Sequence, residues 1–363
     1  MLRRIAKYLL HLVLWSLIIA AVVWASMLSK RHRASSMVSS TDIELMGGKY
    51  NPLIAPESVD MWLKEQGVHP EGAQLSKVDI AAIERIVAEH SAVAEANVYV
   101  EYDGGVSVEI EQREPIARLR MSGYDMYLTA DGYVLPATGC LPAHVKVVTG
   151  DYKPLFDTRF TGDVESVVRD SVASIERLIA ELEEAKLPHF KRHIENNKAL
   201  REVRRSAPKR SIFDSKEKHE ILVKAYKERY SEAVKEHSIQ QRSIDNDIEA
   251  IERAQDEALA LKNNLIREAE EFGAMVAMIC QITEDAFLYE EVVQIVATGG
   301  RGASLQLAVV PRSGDFTIDL GRAEKLEEKF ATLRRFYDKG LSRIGWDRYS
   351  RISLRYDGQV VCR

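Results

Sequence analysis

Residues 106–136 read VSVEIEQREPIARLRMSGYDMYLTADGYVLP, and the organisation of the whole chain depends on how this stretch is divided. Val106, Val108 and Ile110 alternate with Ser107, Glu109 and Glu111, the period of a half-buried strand. Arg113-Glu114-Pro115 ends that strand, because proline offers no N–H to a ladder and fixes its own φ. Two short β-like pieces then flank Asp131-Gly132, a hairpin dipeptide. The stretch reads as a hinge between a small module before it and a second β-rich region after it.

Towards the N-terminus the pattern is compact. Ile43 and Leu45 alternate before Gly47-Gly48 and mark a first strand. Residues 56–67 form a short helix, with Pro56 at its first position and Gly67 past its end, and residues 75–90 form a second, with Asp79 in its first turn. Residues 93–102 and 105–112 make a hairpin through Asp103-Gly104. The order is βααββ, a two-layer module over residues 38–118, long enough to fold alone.

Beyond the stretch, residues 144–148 add a strand, and sheet character then vanishes for more than a hundred residues. It returns as a three-strand meander at 292–297, 303–310 and 316–320. Gly299, Gly300 and Gly302 lie between two strands with no Lys-Ser/Thr after them, so they are a hairpin turn and no phosphate loop. Residues 275–282 are expected to form a separate packing helix. Residues 322–341 are expected to form another, with Leu326, Phe330, Leu333 and Tyr337 as its apolar stripe. The chain closes on RISLRYDGQVVCR, residues 351–363, either as a small hairpin at Asp357-Gly358 or as one long edge strand open to a partner.

The interruption, residues 163–270, is helical and highly charged. Val168, Val172, Ile175, Ile179 and Leu182 follow 4-3-4-3 spacing, and Ile244, Ile248, Ile251, Ala258, Leu261 and Leu265 make a comparable seam. Pro208 breaks the helix between them, which implies an antiparallel coiled-coil hairpin about 60 Å long at 1.5 Å per residue. His189 and His193 stand four apart beside Glu195, but Pro188 precedes them and no third ligand follows, so no metal site is assigned. Arg204, Arg205, Lys209 and Arg210 are read as a solvated tip.

The chain of 363 residues has a net charge of -5, a poor match to nucleic acid. Its three cysteines have neither disulfide-framework nor zinc spacing. Residues 9–28, LLHLVLWSLIIAAVVWASML, contain no Lys, Arg, Asp, Glu, Gly or Pro and have the length of a bilayer span, read as an uncleaved anchor after a tail of residues 1–8 and before a linker of residues 29–37. Basic residues flank the span on both sides, so orientation is not legible from charge. No grouping of nucleophile, base or positioned carboxylates marks an enzyme, and no motif calls for a cofactor.

In order, these parts resemble the FtsQ/DivIB family of bitopic division proteins. VAEANV at 93–98 is similar to the second strand of that family's POTRA module, and QREPIAR at 112–118 to its exit. YLTADGYVLP at 127–136 is similar to the opening of its β domain, here residues 119–363 with 163–270 inserted. Lys325-Leu326 with Phe336-Tyr337 resembles the penultimate helix, and Tyr349, Ile352, Leu354-Arg355-Tyr356 and Gln359-Val360-Val361 the closing strand. The resemblance implies an α+β, non-enzymatic scaffold in the cytoplasmic membrane, its N-terminus cytoplasmic and its bulk periplasmic, recruiting FtsB- and FtsL-like division proteins to the septum. It implies that an FtsB segment adds a strand to residues 352–361 and packs on the neighbouring helix. The contact residues it points to are Tyr349, Ile352, Leu354, Arg355, Tyr356, Gln359, Val360, Val361, Leu326, Phe330 and Tyr337. The alternative reading is a POTRA-containing export or outer-membrane assembly factor; against it, the chain holds one such module and no series of amphipathic strands.

Overall fold

The computed structural model describes residues 14–24, 36–47, 51–121, 123–210, 215–341, 349–356 and 358–363. Residues 14–24 are helical, and among the described residues no helix is long and apolar enough to cross a membrane. The rest of the expected 9–28 span lies outside the described residues. The chain is a mixed α+β protein in two compact units, residues 1–164 with 272–363, and residues 165–271.

The first unit opens with a three-stranded sheet. β1 (Thr41–Met46) pairs parallel with β3 (Val106–Gln112), and β2 (Val93–Val100) pairs antiparallel on the other side of β3. Two helices pack on the sheet, α1 (Pro56–Glu65) through Val59 and Leu63, and α2 (Ile80–Ala88) through Ile83 and Val87. The second helix is shorter than its apolar periodicity implies. Leu75–Lys77 is a 3₁₀ turn, and Asp79 is the N-cap, accepting a hydrogen bond from Ala82 N–H at 3.0 Å.

The second sheet has ten strands. After β3 come β4 (Pro115–Met121), β5 (Tyr124–Thr129), β6 (Tyr133–Pro136), β7 (Lys146–Thr149) and the two-residue β8 (Gly162–Asp163). Past the second unit follow β9 (Val292–Gly300), β10 (Ala303–Pro311), β11 (Thr317–Gly321), β12 (Arg351–Ser353) and β13 (Val361–Cys362). Their spatial order is β13-β12-β11-β10-β9-β7-β4-β5-β6-β8. The meander expected at 292–320 is present as β9 to β11, and its first turn, Arg301-Gly302, has φ of 46° and 96°, the left-handed pair that a two-residue hairpin loop requires.

Two expectations about residues 106–136 are corrected. The first module was expected to run to Arg118, yet β4 begins at Pro115 and lies inside the large sheet between β7 and β5. Proline is tolerated there because it starts the strand. Nor is the stretch a hinge. Tyr127, Leu135 and Ala137 belong to the same apolar cluster as Val59, Leu63, Ile83, Val108 and Ile110 of the small module. Gln112, 4% exposed, accepts from Leu53 N–H at 2.9 Å and donates to Gly47 C=O at 3.2 Å, while Arg113 stacks its guanidinium on Tyr133 at 3.4 Å. Leu141 N–H bonds Leu53 C=O at 2.8 Å across the junction. One apolar cluster therefore spans the junction between the small module and the β5–β6 part of the large sheet.

The helices differ from the expected set in number as well as in length. The packing helix expected at 275–282 is no separate element but the last part of α4 (Lys216–Glu284), a single helix of 69 residues. Its Phe272, Met275, Met278, Ile279 and Ile282 are buried in the first unit. Phe272 meets Phe156 edge-on at 5.7 Å, and Tyr124 donates to Phe156 C=O at 2.8 Å.

The second unit is built from α3 (Val164–Arg205, 42 residues) and the greater part of α4. Lys262 reaches Glu176 at 2.5 Å, Gln255 reaches Glu183 at 2.9 Å, Arg192 reaches Asp247 at 3.3 Å and Asn196 donates to His237 C=O at 3.1 Å. Each step forward along α3 is matched by a step back along α4, so the two helices run antiparallel. The seam of α3 is apolar from Val168 to Leu182 and then continues through Lys186, His189, His193 and Asn196, all at least half-buried. His189 Nδ1 lies 3.4 Å from an Asp247 oxygen, and Asn197 bridges His193 and His237 at 3.1 Å on each side. The two histidines therefore face α4 and its polar groups, and Glu195 is exposed.

Candidate interaction surface

The end of the large sheet gathers the sequence-derived residues. β11 is flanked by β10 and by β12, which runs parallel to it from Thr317 opposite Arg351 to Asp319 opposite Ser353. β13 then folds back antiparallel, Ile352 opposite Cys362 and Ser353 opposite Val361. Arg351 and Arg363 exchange main-chain hydrogen bonds of 3.1 and 2.9 Å. Of the two readings left open for residues 351–363 the hairpin is formed, so the strand that the resemblance implied over 352–361 is two short strands. Gly358, with φ of 67°, and the turn bond from Gln359 N–H to Tyr356 C=O at 3.2 Å bring the chain round between them. β13 is the outermost strand, and among the described residues nothing pairs with its far edge.

Beside these strands lies α6 (Leu326–Phe336), shorter than the expected 322–341. Lys325 in the left-handed region starts it, and a π turn, Tyr337–Leu341, follows it. The helix is fixed from below. Arg334 holds Asp285 through two contacts of 2.7 Å, and Asp285 also caps α5 (Ala286–Glu291) by accepting from Leu288 N–H at 3.0 Å. Tyr337 donates to Glu291 at 3.1 Å and meets Phe287 edge-on at 5.3 Å; burial pushes its phenol well above the usual range.

Burial divides the eleven expected contact residues. Ile352, Leu354, Phe330 and Tyr337 are core residues at 0, 2, 5 and 6% exposure, because one face of every short strand or helix must close the interior. Tyr349, Leu326, Val360 and Val361 are half-buried, while Arg355, Tyr356 and Gln359 are exposed. Tyr356, at 61%, and Gln359 line a groove of about 340 Å³ together with Lys325, Glu328, Thr332, Arg335 and Leu354. Of the exposed residues, Tyr356 and Gln359 share this groove with the buried Leu354, and Arg355 lines a second hollow.

Sequence reasoning missed the centre of this surface. Asp319, 4% exposed in β11, is clasped by Arg351 at 2.9 Å and by Arg355 at 2.8 Å, and accepts from Gly321 N–H at 3.1 Å. The clasp ties β11 to β12 and lays the Arg355 stem over Gly321, where any Cβ would meet it. With Arg363 beside them, Arg351 and Arg355 make the rim of a second, smaller hollow basic. The available signal was an aspartate within the otherwise apolar strand TIDLG.

The fold and this surface define a class: a POTRA-like module joined to a mixed sheet whose last strand is an open edge beside a helix. The family described as POTRA-like domain matches residues 37–111, and the one described as FtsQ/DivIB, C-terminal related, matches residues 244–363. Together the two matches support a protein of the FtsQ/DivIB type. No curated protein matches it.

Proposed function

We propose that the protein is a non-enzymatic, membrane-anchored scaffold of bacterial division, held by residues 9–28 with its bulk outside the cytoplasm and concentrated at the septum. It recruits FtsB- and FtsL-like proteins by accepting a strand on the free edge of β13 and a helix or side chains in the groove beside α6. The match of residues 244–363 to the FtsQ/DivIB C-terminal related family supports a division role, and the observation that carries the mechanism is the unpaired edge of β13 next to the exposed Tyr356 and Gln359. An added strand gains main-chain hydrogen bonds from such an edge and side-chain specificity from the pocket beside it. The basic rim of Arg351, Arg355 and Arg363 favours a partner segment that carries carboxylates.

Co-purification of the full chain with an FtsB-like partner tests this reading. Tyr356→Asp, or deletion of residues 359–363, should reduce capture at least tenfold while the circular dichroism melt stays within a few degrees of wild type. Undiminished capture by either folded variant refutes the edge as the docking site. A fluorescent fusion spread evenly round the cell, with normal division on depletion, refutes the division role.

A further inference from the structure

The helical unit has a second stripe beside the seam between α3 and α4; Glu176, Glu183 and Asn197 also reach α4, but its apolar middle is accounted for by neither the seam nor the family relationship. Along α3, Glu176, Ala180, Glu183, Leu187, Phe190, Ile194, Asn197, Arg201 and Arg204 follow unbroken 4-3 spacing and share one face of the helix. In its middle Leu187, Phe190 and Ile194 are 57, 47 and 66% exposed, three large apolar side chains in a row facing solvent. Glutamates occupy one end and arginines the other.

The charges follow the same order through the whole unit. Residues 198–229, the part around the turn between the helices, carry eleven Lys and Arg against five Asp and Glu. Residues 165–184 and 245–271, at the opposite end, carry fifteen Asp and Glu against five Lys and Arg. The ion pairs between the helices, Lys262–Glu176, Lys186–Glu252 and Arg192–Asp247, all lie on the acidic side of residue 193. Lys198, Arg201, Arg204 and Arg205 have no ion pair among the described residues.

We infer that this stripe is a self-recognition surface, on which the helical unit of a second copy lies antiparallel about a two-fold axis near residue 192. A partner of one sign, such as an anionic bilayer, matches the basic end and is repelled by the acidic end. The stripe's own complement is the same stripe run backwards, which places Glu183 against Arg201 on both sides of the axis and Phe190 against Ile194 at its centre, with Leu187 opposite Asn197. In the register that keeps stripe residues opposite one another, Phe190 meets Ile194 of the second copy and Glu183 meets Arg201 of the second copy, each twice. The apolar centre supplies affinity and the charged ends set direction and register.

The test uses the full chain in detergent micelles. Analytical ultracentrifugation of the unmodified chain should show a monomer–dimer equilibrium that weakens several-fold as salt rises from about 0.05 to 0.5 M, where surface charges are screened. Phe190→Glu should weaken the dimer at least tenfold. Arg201→Glu should also weaken it, and mixing that variant with Glu183→Arg should restore dimers. In a background with Cys140, Cys280 and Cys362 replaced by serine, oxidation should cross-link Glu183→Cys of one copy to Arg201→Cys of a differently tagged copy. A monomer at every concentration overturns the proposal. So does cross-linking of Glu183→Cys to itself in preference to Arg201→Cys, which would mean parallel pairing. A chain that stays monomeric but binds phosphatidylglycerol vesicles through Arg201 and Arg204 overturns it in favour of a lipid surface.

Discussion

Asp319 shows how one side chain can organise an interaction surface without belonging to it. Its carboxylate is buried, whereas Arg351 and Arg355 are 57 and 44% exposed, so the arginines can return to water if the acid is lost. Asp319→Ala should therefore cost about 2 kcal/mol, below the full cost of breaking a wholly buried pair. Urea unfolding measures that loss, and partner capture should fall with it because β12 loses its clamp on β11. Cysteine chemistry gives a second residue-scale expectation. Burial pushes the Cys140 thiol up to about 11 and raises those of Cys280 and Cys362 as well, so few thiolates exist near neutral pH. Alkylation of the native chain at pH 7.5 should be slow, and denaturation should speed it severalfold. Of the Asp319 clasp the sequence carried only an aspartate in an otherwise apolar strand, since a buried acid is identified by what surrounds it.

At the scale of elements, turns and caps were the most legible features and helix lengths the least. Asp103-Gly104, Asp131-Gly132 and Arg301-Gly302 all turn where their left-handed φ values demand a glycine. Gly150 and Gly300 add a constraint that no dipeptide rule conveys: at each a Cβ would overlap a carbonyl, of Ala297 and of Lys153 respectively. Gly150→Ala should therefore destabilise the β7–β9 pairing by about 2 kcal/mol or more, read as a lower denaturation midpoint with accelerated amide exchange in Val147 to Thr149. α2 is short because Asp79 caps it, and Asp79→Ala should cost about 1 kcal/mol. The closing segment was open between one strand and a hairpin. The hairpin is formed because β12 pairs with β11 for three residues only, after which the chain can return along its own edge.

At the scale of the molecule, residues 106–136 join two sheets across a shared core. Tyr127 receives Ala143 N–H at 3.0 Å and packs, with Leu135, against the helices of the small module. Tyr127→Ala should loosen both sheets together, so hydrogen exchange should rise in β2 and β3 as well as in β5 and β6. Protection of β2 and β3 unchanged from wild type would show that the two sheets open independently.

The sequence alone determined the local features: the βααββ order, the meander, the seam of α3 and the glycine turns, because each depends on side-chain period or backbone freedom within a few residues; in the expected seam of α4, Leu261 instead faces solvent at 59% exposure. Only the tertiary structure decided that β4 begins the second sheet, that one apolar cluster joins the small module to β5 and β6, and that α4 is a single helix from Lys216 to Glu284. It also decided that Asp319 lies beneath the proposed docking edge. Those outcomes depend on which apolar faces meet and which buried charges find partners, and both are set between segments a hundred or more residues apart.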